Sequence, residues 1–507
     1  MTGLFEESEE NKESNNEQNI NKSTKSETSP KWPSGYDYFG ATFSFTISLH
    51  SLWSVPVCVI HHGGGAFLLL YLVSVALLGG PLLLLSMFHG QYSGLAPGQL
   101  YQHLCPYLQG LGVAVCIQAG VRAVLDTAVI MWAGQAGWIL FTLQDCREGF
   151  FRSDVLQRQE DSMEYLGQVV GELALVLVVV CLVTFILVAA GTRSVGKVCL
   201  VLAPICFMLL VSLTIRTCLA PGGPAGILTL LTPDWSILSQ PTVWAEAVGQ
   251  AVFSLQLGLG AVSAYSSHNS YNHNIVRDCA IIIFFNILWV ILAIFFTFSL
   301  LGVAHDTEAI NIQTVSGLSL LNPRQGWLSS IPVIETAFST VTTGWLWAGL
   351  FFLLIILISI SSLFGYLEVI TSSLISNRTS LLPYKPALTF CSIICIFLLN
   401  LALATQGGVH AYQLLLTFLS SWPSLLFSLL AVFSTVFCHG TRSLISDLSA
   451  MTKSSLPHWF TSHLSVAYIT ILPLCLLVLI LNTILTFHFS LSGLIDLACL
   501  HPVFPLS

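Results

Sequence analysis

The chain has 507 residues, of which 8% are charged and 54% apolar, with a mean hydropathy of +0.81. A soluble domain carries about 25% charged residues, so this composition excludes one and reads as a polytopic membrane protein. The net charge of −8 arises partly in the amino-terminal tail and supplies no basic surface for nucleic acid.

Residues 1–31 hold seven Glu against four Lys, with Phe5 the only aromatic before Trp32. Such a segment buries too little apolar surface to fold and reads as a disordered tail. No basic stretch leads into an apolar one, so a cleavable signal peptide is not expected and the tail reads as cytosolic. An interrupted apolar segment near 38–60 then runs through Ser54–Phe67 into a triple glycine, Gly63–Gly65. A helix interrupted by small and polar residues inside a bilayer is tolerated only where it lines a buried or wet site. Secondary transporters build their substrate and ion sites from such breaks.

A spanning helix needs roughly 20 residues. Eleven candidates follow, near 38–61, 66–88, 108–142, 168–191, 196–217, 241–266, 279–304, 345–375, 387–405, 410–438 and 463–486. The fold class is therefore all-α, with a core over 32–438 and a peripheral part over 439–507. The segment 486–507, with Asp496 and His501, is a poor twelfth span. Basic residues orient the chain modestly with its amino terminus inside. Inner loops hold Arg193, Lys197, Arg277, Arg378, Lys385, Arg442 and Lys453; outer loops hold Arg147, Arg152, Arg158 and Arg324. The fourteen cysteines fall mostly inside spans, never as Cys-x-x-Cys, and read as small apolar residues rather than metal ligands. The outer loop near 144–164 has one cysteine, Cys146, so no disulfide is expected there. The polar residues are dispersed, with no nucleophile–base pair, so an enzyme is not expected.

Several motifs occur in order. Trp53 and Pro56 precede His62 and Gly63–Phe67; Gly80-Pro81 and Gly90-Gln91 close the second span. Gln250–Gly260, Tyr265–Asn269 and Asn274–Asp278 mark the sixth, Ser361–Gly365 with Glu368 the eighth, and Gly407-Gly408 the tenth. In these the chain resembles the sodium-coupled neurotransmitter and amino-acid symporters (solute carrier family 6), from about Trp32 to Ile480. The resemblance implies a LeuT-like fold: two inverted five-helix repeats, 11–12 spans in all, with spans one and six broken opposite each other. It places the stretch Ser254–Gly260 at the site, whereas Gly79 and Gly80 read better as close helix packing.

The resemblance also implies ion ligands. A second sodium site maps to the carbonyls of Ser44, Ile47 and Ile358 and the hydroxyls of Ser361 and Ser362. Adjacent serines also bond back to carbonyls a turn earlier, and both readings stand. A first sodium site maps to Thr46, Ser51, Ser254 and Asn286, with Ser51 shorter than the family's asparagine. Chloride would map to Tyr71, Gln250, Ser254 and Asn286, but Val290 stands where chloride-dependent members have a serine, so little chloride dependence is expected.

Substrate residues map to Thr46, Ser48, His50, Arg122, Asp126, Phe253, Ser254, Gln256, Leu259, Ser362 and Tyr366. The outer ion pair of the family is replaced by Ser54 and Leu416; Phe253 keeps the aromatic lid. Asp126 replaces the lid's tyrosine partner. With Arg122 four residues earlier on one helix face, it forms either a functional charge pair or a self-neutralising structural one. His50 either handles a proton or is hydrogen-bonded filler. The expected activity is sodium-coupled symport of a small amino acid or similar solute across the plasma membrane by alternating access. The alternative is a transport-deficient member acting as a binding or accessory membrane subunit. The partners implied are a small-molecule substrate and the lipid bilayer.

Overall fold

A computed structural model describes residues 31–157, 167–306, 327–341, 343–419, 422–453 and 455–484. The tail before Lys31, the loop residues Arg158 and Arg324, and the segment 486–507 lie outside the described residues.

Among the described residues the fold is all-helical. α1 (Gly35–Thr46) and α2 (His50–His61) form one bent span, turning by 49°. α3 (Gly65–Ser93), α4 (Pro106–Leu143), α5 (Gly171–Val188) and α6 (Thr192–Cys218) follow as single helices. α7 (Pro241–Ser254) and α8 (Ala261–Ser267) are a second broken span. Beyond them run α9 (Ile275–Asp306), the short α10 (Ser330–Ser339) and α11 (Gly344–Asn377). α12 (Thr379–Leu403), α13 (Gly408–Leu419), α14 (Trp422–Ser434) and α15 (His458–Ile484) come last, and shorter helices at Pro97–Leu104, Gly223–Leu231 and Thr441–Thr452 lie between these elements.

Among the described residues nine stretches are long and apolar enough to cross a membrane, and the bent α1–α2 pair makes ten. The expected eleventh, near 241–266, is divided between α7 and α8, neither long enough alone. The spans differ in burial. α11 is the most enclosed and α5 the least, with Leu175, Val178, Leu182 and Ile186 of α5 exposed as a lipid-facing stripe. α11 packs most extensively against α4 and also packs on α1 and α8 of the broken spans.

The two broken spans run antiparallel. At one end Trp32 Nε1 donates to the Tyr265 carbonyl at 2.8 Å and the Tyr38 and Ser266 hydroxyls meet at 3.0 Å. At the other end the Asp234 amide donates to the Gly63 carbonyl at 3.2 Å. The start of α1 thus lies beside the end of α8, and the end of α2 beside the entry to α7, as an inverted repeat requires.

One expectation is corrected. The triple glycine is not a break within the bilayer span. Gly63 and Gly64 take φ of +74° and +66°, and Gly65 already begins α3. They form the tight reversal between α2 and α3, where a methyl group at Gly63 would meet Ile237 and the Asp234 backbone at 3.0 and 3.2 Å. The real interruption lies earlier, at Ile47–Leu49. Gly79 and Gly80 pack close, with a methyl at these positions meeting Leu255 at 2.9 Å and Ile283 at 3.1 Å.

Candidate functional site

The α1–α2 break has a local cause in Ser48-Leu-His-Ser51. The Ser48 amide donates to Ser51 Oγ and the Ser51 amide to Ser48 Oγ, both at 3.1 Å. This reciprocal arrangement follows the logic of a capping box, which starts a new helix where the old one has stopped. Ile47 takes an extended ψ of 96°, which turns the end of α1 out of helical register. The α7–α8 break spans Leu255–Gly260. Gln256, Gly258 and Gly260 all have positive φ, at +52°, +77° and +81°. The two breaks touch where Ser48 Oγ donates to the Ser254 carbonyl at 3.2 Å.

The second-site residues converge. Ser361 Oγ lies 3.0 Å from the Ser44 carbonyl and 2.8 Å from that of Ile358, in reach of both. Three of the five expected ligands thus meet at one point, between α1 and α11. Ile47 is buried beside them in sequence at the end of α1. Ser362 Oγ instead accepts from Gln256 Nε2 at 3.0 Å.

The first-site residues form a second polar cluster. Asn286 Nδ2 donates to the Thr46 carbonyl at 3.1 Å, and Asn286 Oδ1 is buried without a hydrogen-bond partner among the described residues. A buried acceptor left open is costly unless a cation or donor meets it. Ser51 is drawn into the cap: its hydroxyl donates to the Ser48 carbonyl at 2.7 Å and accepts from Trp289 Nε1 at 3.1 Å.

Of the chloride set, only Tyr71 and Ser254 are hydrogen-bonded to each other, the Tyr71 hydroxyl donating to Ser254 Oγ at 2.9 Å. Gln250 faces elsewhere. Its Nε2 donates to Glu246 Oε1 at 2.9 Å and to Cys58 Sγ at 3.2 Å, and its Oε1 accepts from His50 Nε2 at 2.7 Å. Val290 is buried on α9 and offers no donor.

The expected substrate residues divide. His50, tied to Gln250, meets Phe253 edge-on with centroids 5.5 Å apart. Gln256 bridges the α7–α8 break to α11, its Oε1 accepting from the Tyr366 hydroxyl at 2.7 Å. Leu259 is buried. Ser54 is buried within α2 and bears no charge. The expectation that Arg122 and Asp126 stand at pairing distance is corrected. They are electrostatic neighbours of each other and of Tyr366 and Tyr412, but no ion pair or hydrogen bond joins them, and Arg122 Nε is buried without a partner among the described residues. The i, i+4 spacing places them on one face; it does not force two side chains with different reach to meet.

Two polar groups lie outside the expected set. Glu246 on α7 is an intramembrane carboxylate, a signal present in the sequence itself. At the opposite end, buried Glu368 on α11 accepts from His268 Nε2 at 2.8 Å and from Lys385 Nζ at 2.8 and 3.0 Å. Among the described residues no group of three His, Cys, Asp or Glu side chains is placed to hold a metal ion. Cys146 is a buried free thiol.

Comparison with known proteins agrees with this architecture. The model of the sodium:neurotransmitter symporter family matches residues 29–144 and 140–493. The chain is 28% identical to the sodium-dependent serotonin transporter of Drosophila melanogaster over 474 residues, covering 87% of this chain and 74% of that protein. It is 27% identical to the sodium- and chloride-dependent creatine transporter 1 of Bos taurus over 445 residues, covering 78% and 68%. It is 26% identical to the sodium-dependent transporter snf-12 of Caenorhabditis elegans over 461 residues, covering 83% and 44%. A family match over nearly the whole chain, on a fold with two antiparallel broken spans, makes this multi-pass membrane protein a member of the sodium:neurotransmitter symporter family, a family of transporters rather than enzymes.

Proposed function

We propose that this chain is a sodium-coupled symporter carrying a small amino acid or amino-acid-like solute across the plasma membrane, with its amino terminus in the cytosol. The observation that carries the reading is the meeting of Ser44, Ile358 and Ser361 oxygens between α1 and α11. Hard oxygen ligands suit an alkali cation, and an interrupted helix frees carbonyls to serve it. The open Asn286 Oδ1 beside the Thr46 carbonyl supports a second cation position. Relatives named for serotonin and creatine transport support a small organic solute.

The mechanism is alternating access. Sodium held by Ser44, Ile47, Ile358, Ser361 and Ser362 joins the broken α1–α2 span to α11 and draws that seam together. The hydroxyl of Ser361, which otherwise satisfies the two carbonyls, then turns its oxygen to the ion. Gln256, carried by the α7–α8 break, ties the second broken span to the same helix through Ser362 and Tyr366. Solute enters between the breaks, with Phe253 over it and no outer ion pair, since Ser54 and Leu416 occupy those positions. Chloride is not coupled, because the Gln250 donors are committed to Glu246 and Cys58.

The test is uptake of isotope-labelled amino acids in cells expressing only this chain, with sodium or with choline. Uptake that appears with sodium alone is the expected result. Surface-expressed protein with no sodium-dependent uptake of any amino acid tested would favour the second reading, an accessory membrane subunit. The missing gate pair is the observation on that side.

A further inference from the structure

α4 carries Arg122 and Asp126, which form no ion pair among the described residues, and Arg122 Nε is buried without a hydrogen-bond partner. An α-helix turns about 100° per residue. Val113 and Ile117 are exposed and mark its lipid side; Arg122 and Asp126 then lie about 140° and 180° around from Ile117. Their own stripe includes Val115, Ala119, Val129 and Ala133, all fully or nearly fully buried. Val115 faces the α7–α8 break, where a methyl group at Gly260 would meet Val115 Cγ1 at 2.5 Å. The same stripe looks toward His50, Tyr366 and Tyr412, which all feel the Arg122 charge.

Arg122 and Asp126 are nevertheless only partly buried. Because they point away from lipid, the space that reaches them is internal. Two unjoined charges of opposite sign, on one face of a rigid helix and beside both breaks, are an unusual arrangement in a membrane. Intramembrane charges ordinarily pair with each other or with a ligand. Arg122 offers a planar donor fork suited to a carboxylate, and Asp126 offers acceptors alone.

We propose that Arg122 and Asp126 are a two-charge recognition site for a zwitterionic solute. The guanidinium takes the solute's carboxylate, and the Asp126 carboxylate takes its ammonium or amidinium group. The anchor for the solute's charges thus sits on unbroken α4, and the breaks supply backbone, Gln256 and Phe253 around it. The inference rests on the transport reading only for the solute's reaching this cavity.

The experiment uses the full chain purified in detergent with sodium present, and reads the melting temperature against added probe. The probes are glycine, β-alanine and 4-aminobutyrate, with butyrate and butylamine as their single-charge counterparts. At least one zwitterion raises the melting temperature and the single-charge probes do not. Arg122→Gln moves the preference to butylamine, and Asp126→Asn moves it to butyrate. The double variant weakens zwitterion binding about a hundredfold or more, because two charge-assisted hydrogen bonds are removed together. Folding is checked by size-exclusion profile, and each arm stands alone should one variant fail to fold. No zwitterion binding, equal binding of single-charge probes, or a double variant that binds as the unaltered protein does would overturn the proposal. A zwitterion that binds at this pair but is not taken up removes the transport reading and leaves the site. Sodium-driven zwitterion uptake unchanged in the double variant does the reverse.

Discussion

Gly258→Ala tests whether the α7–α8 break has the backbone described. Gly258 has φ of +77°, and a methyl carbon there would lie 2.2 Å from the Ser424 carbonyl oxygen and 2.6 Å from Ser428 Oγ. The left-handed conformation costs a non-glycine residue about 1–2 kcal/mol. Overpacking adds about 1–3 kcal/mol, at the upper end here because the obstacle is the α14 backbone rather than a side chain. The expected loss is thus about 2–5 kcal/mol. Two companions calibrate it. Gly260→Ala shares the positive φ, but its methyl meets the side chains of Val115 at 2.5 Å and Pro97 at 3.3 Å, which have more freedom to give. Gly249→Ala, inside α7, meets nothing closer than Leu479 at 3.7 Å and gains helix propensity of about 0.8–1 kcal/mol. Thermal stability of the purified variants should rank Gly249→Ala at or above the unaltered protein, then Gly260→Ala, then Gly258→Ala. A Gly258→Ala protein as stable as Gly249→Ala would refute both the φ at this position and the contact with α14.

Ser361→Ala combined with Ser362→Ala should abolish sodium-dependent uptake at normal surface expression, by removing both side-chain ligands of the proposed second cation site; sodium dependence that persists would exclude that site. Replacing bath chloride with gluconate should change uptake by no more than about twofold, because Val290 has no donor and those of Gln250 are engaged; a much larger loss would mean that chloride finds another shell. The third case lies on α10, outside the spans, where Glu335 accepts the Gly149 and Phe151 amides at 2.9 Å. Burial raises its carboxyl above the ordinary value, against the lowering pull of those amides. The folded protein therefore holds this proton more tightly than the unfolded chain. Its contribution to stability is present in acid and declines as pH rises through the range just above the usual glutamate value. Glu335→Gln should flatten melting temperature against pH over that range, and an unchanged profile would show that burial does not govern this group.

Much of the fold was legible because bilayer physics writes itself into composition. Uncharged runs mark spans, and the glycines of Ser254–Gly260 announced a backbone that leaves the helix. The triple glycine misled for the same reason. Glycine permits positive φ in a turn outside the span as readily as in a break within it, and only the neighbouring Asp234 loop decides which. The true break at Ile47–Leu49 contains no glycine or proline. It depends on the Ser48–Ser51 exchange, a pair of short side chains whose effect needs coordinates to be seen. Side-chain direction was the least legible feature. Gln250 was a sensible anion ligand by position, yet Glu246 one turn away and Cys58 across the seam attract its amide. Sequence spacing likewise placed Arg122 and Asp126 on one face correctly and could not say whether they meet.

The two ends of the seam are built differently, and this bears on how the proposed alternating cycle is balanced. At the end carrying α2 and the entry to α7, Ser54 bears no charge and Glu246 is held by Gln250 and Cys58. At the end carrying the start of α1, the contacts are numerous: Lys31 Nζ reaches the Asn269 carbonyl at 3.2 Å, Trp32 reaches Tyr265, and Tyr38 reaches Ser266. Buried Glu368 completes that end. Its two partners belong to different bodies, since His268 follows α8 whereas Lys385 opens the long part of α12 beside α11. Parting α8 from α11 breaks the His268–Glu368 contact but leaves Lys385 on the carboxylate. A buried carboxylate stripped of all partners would cost about 3–5 kcal/mol; one hydrogen bond to a charged group is worth about 1.5–3 kcal/mol. Lys385 thus holds the opening cost in the lower range, where differential binding of an ion or solute is large enough to shift the equilibrium. In the proposed cycle the firm end is releasable because its charge is shared, whereas the α2 end has no ion pair at Ser54 and would close on the solute instead.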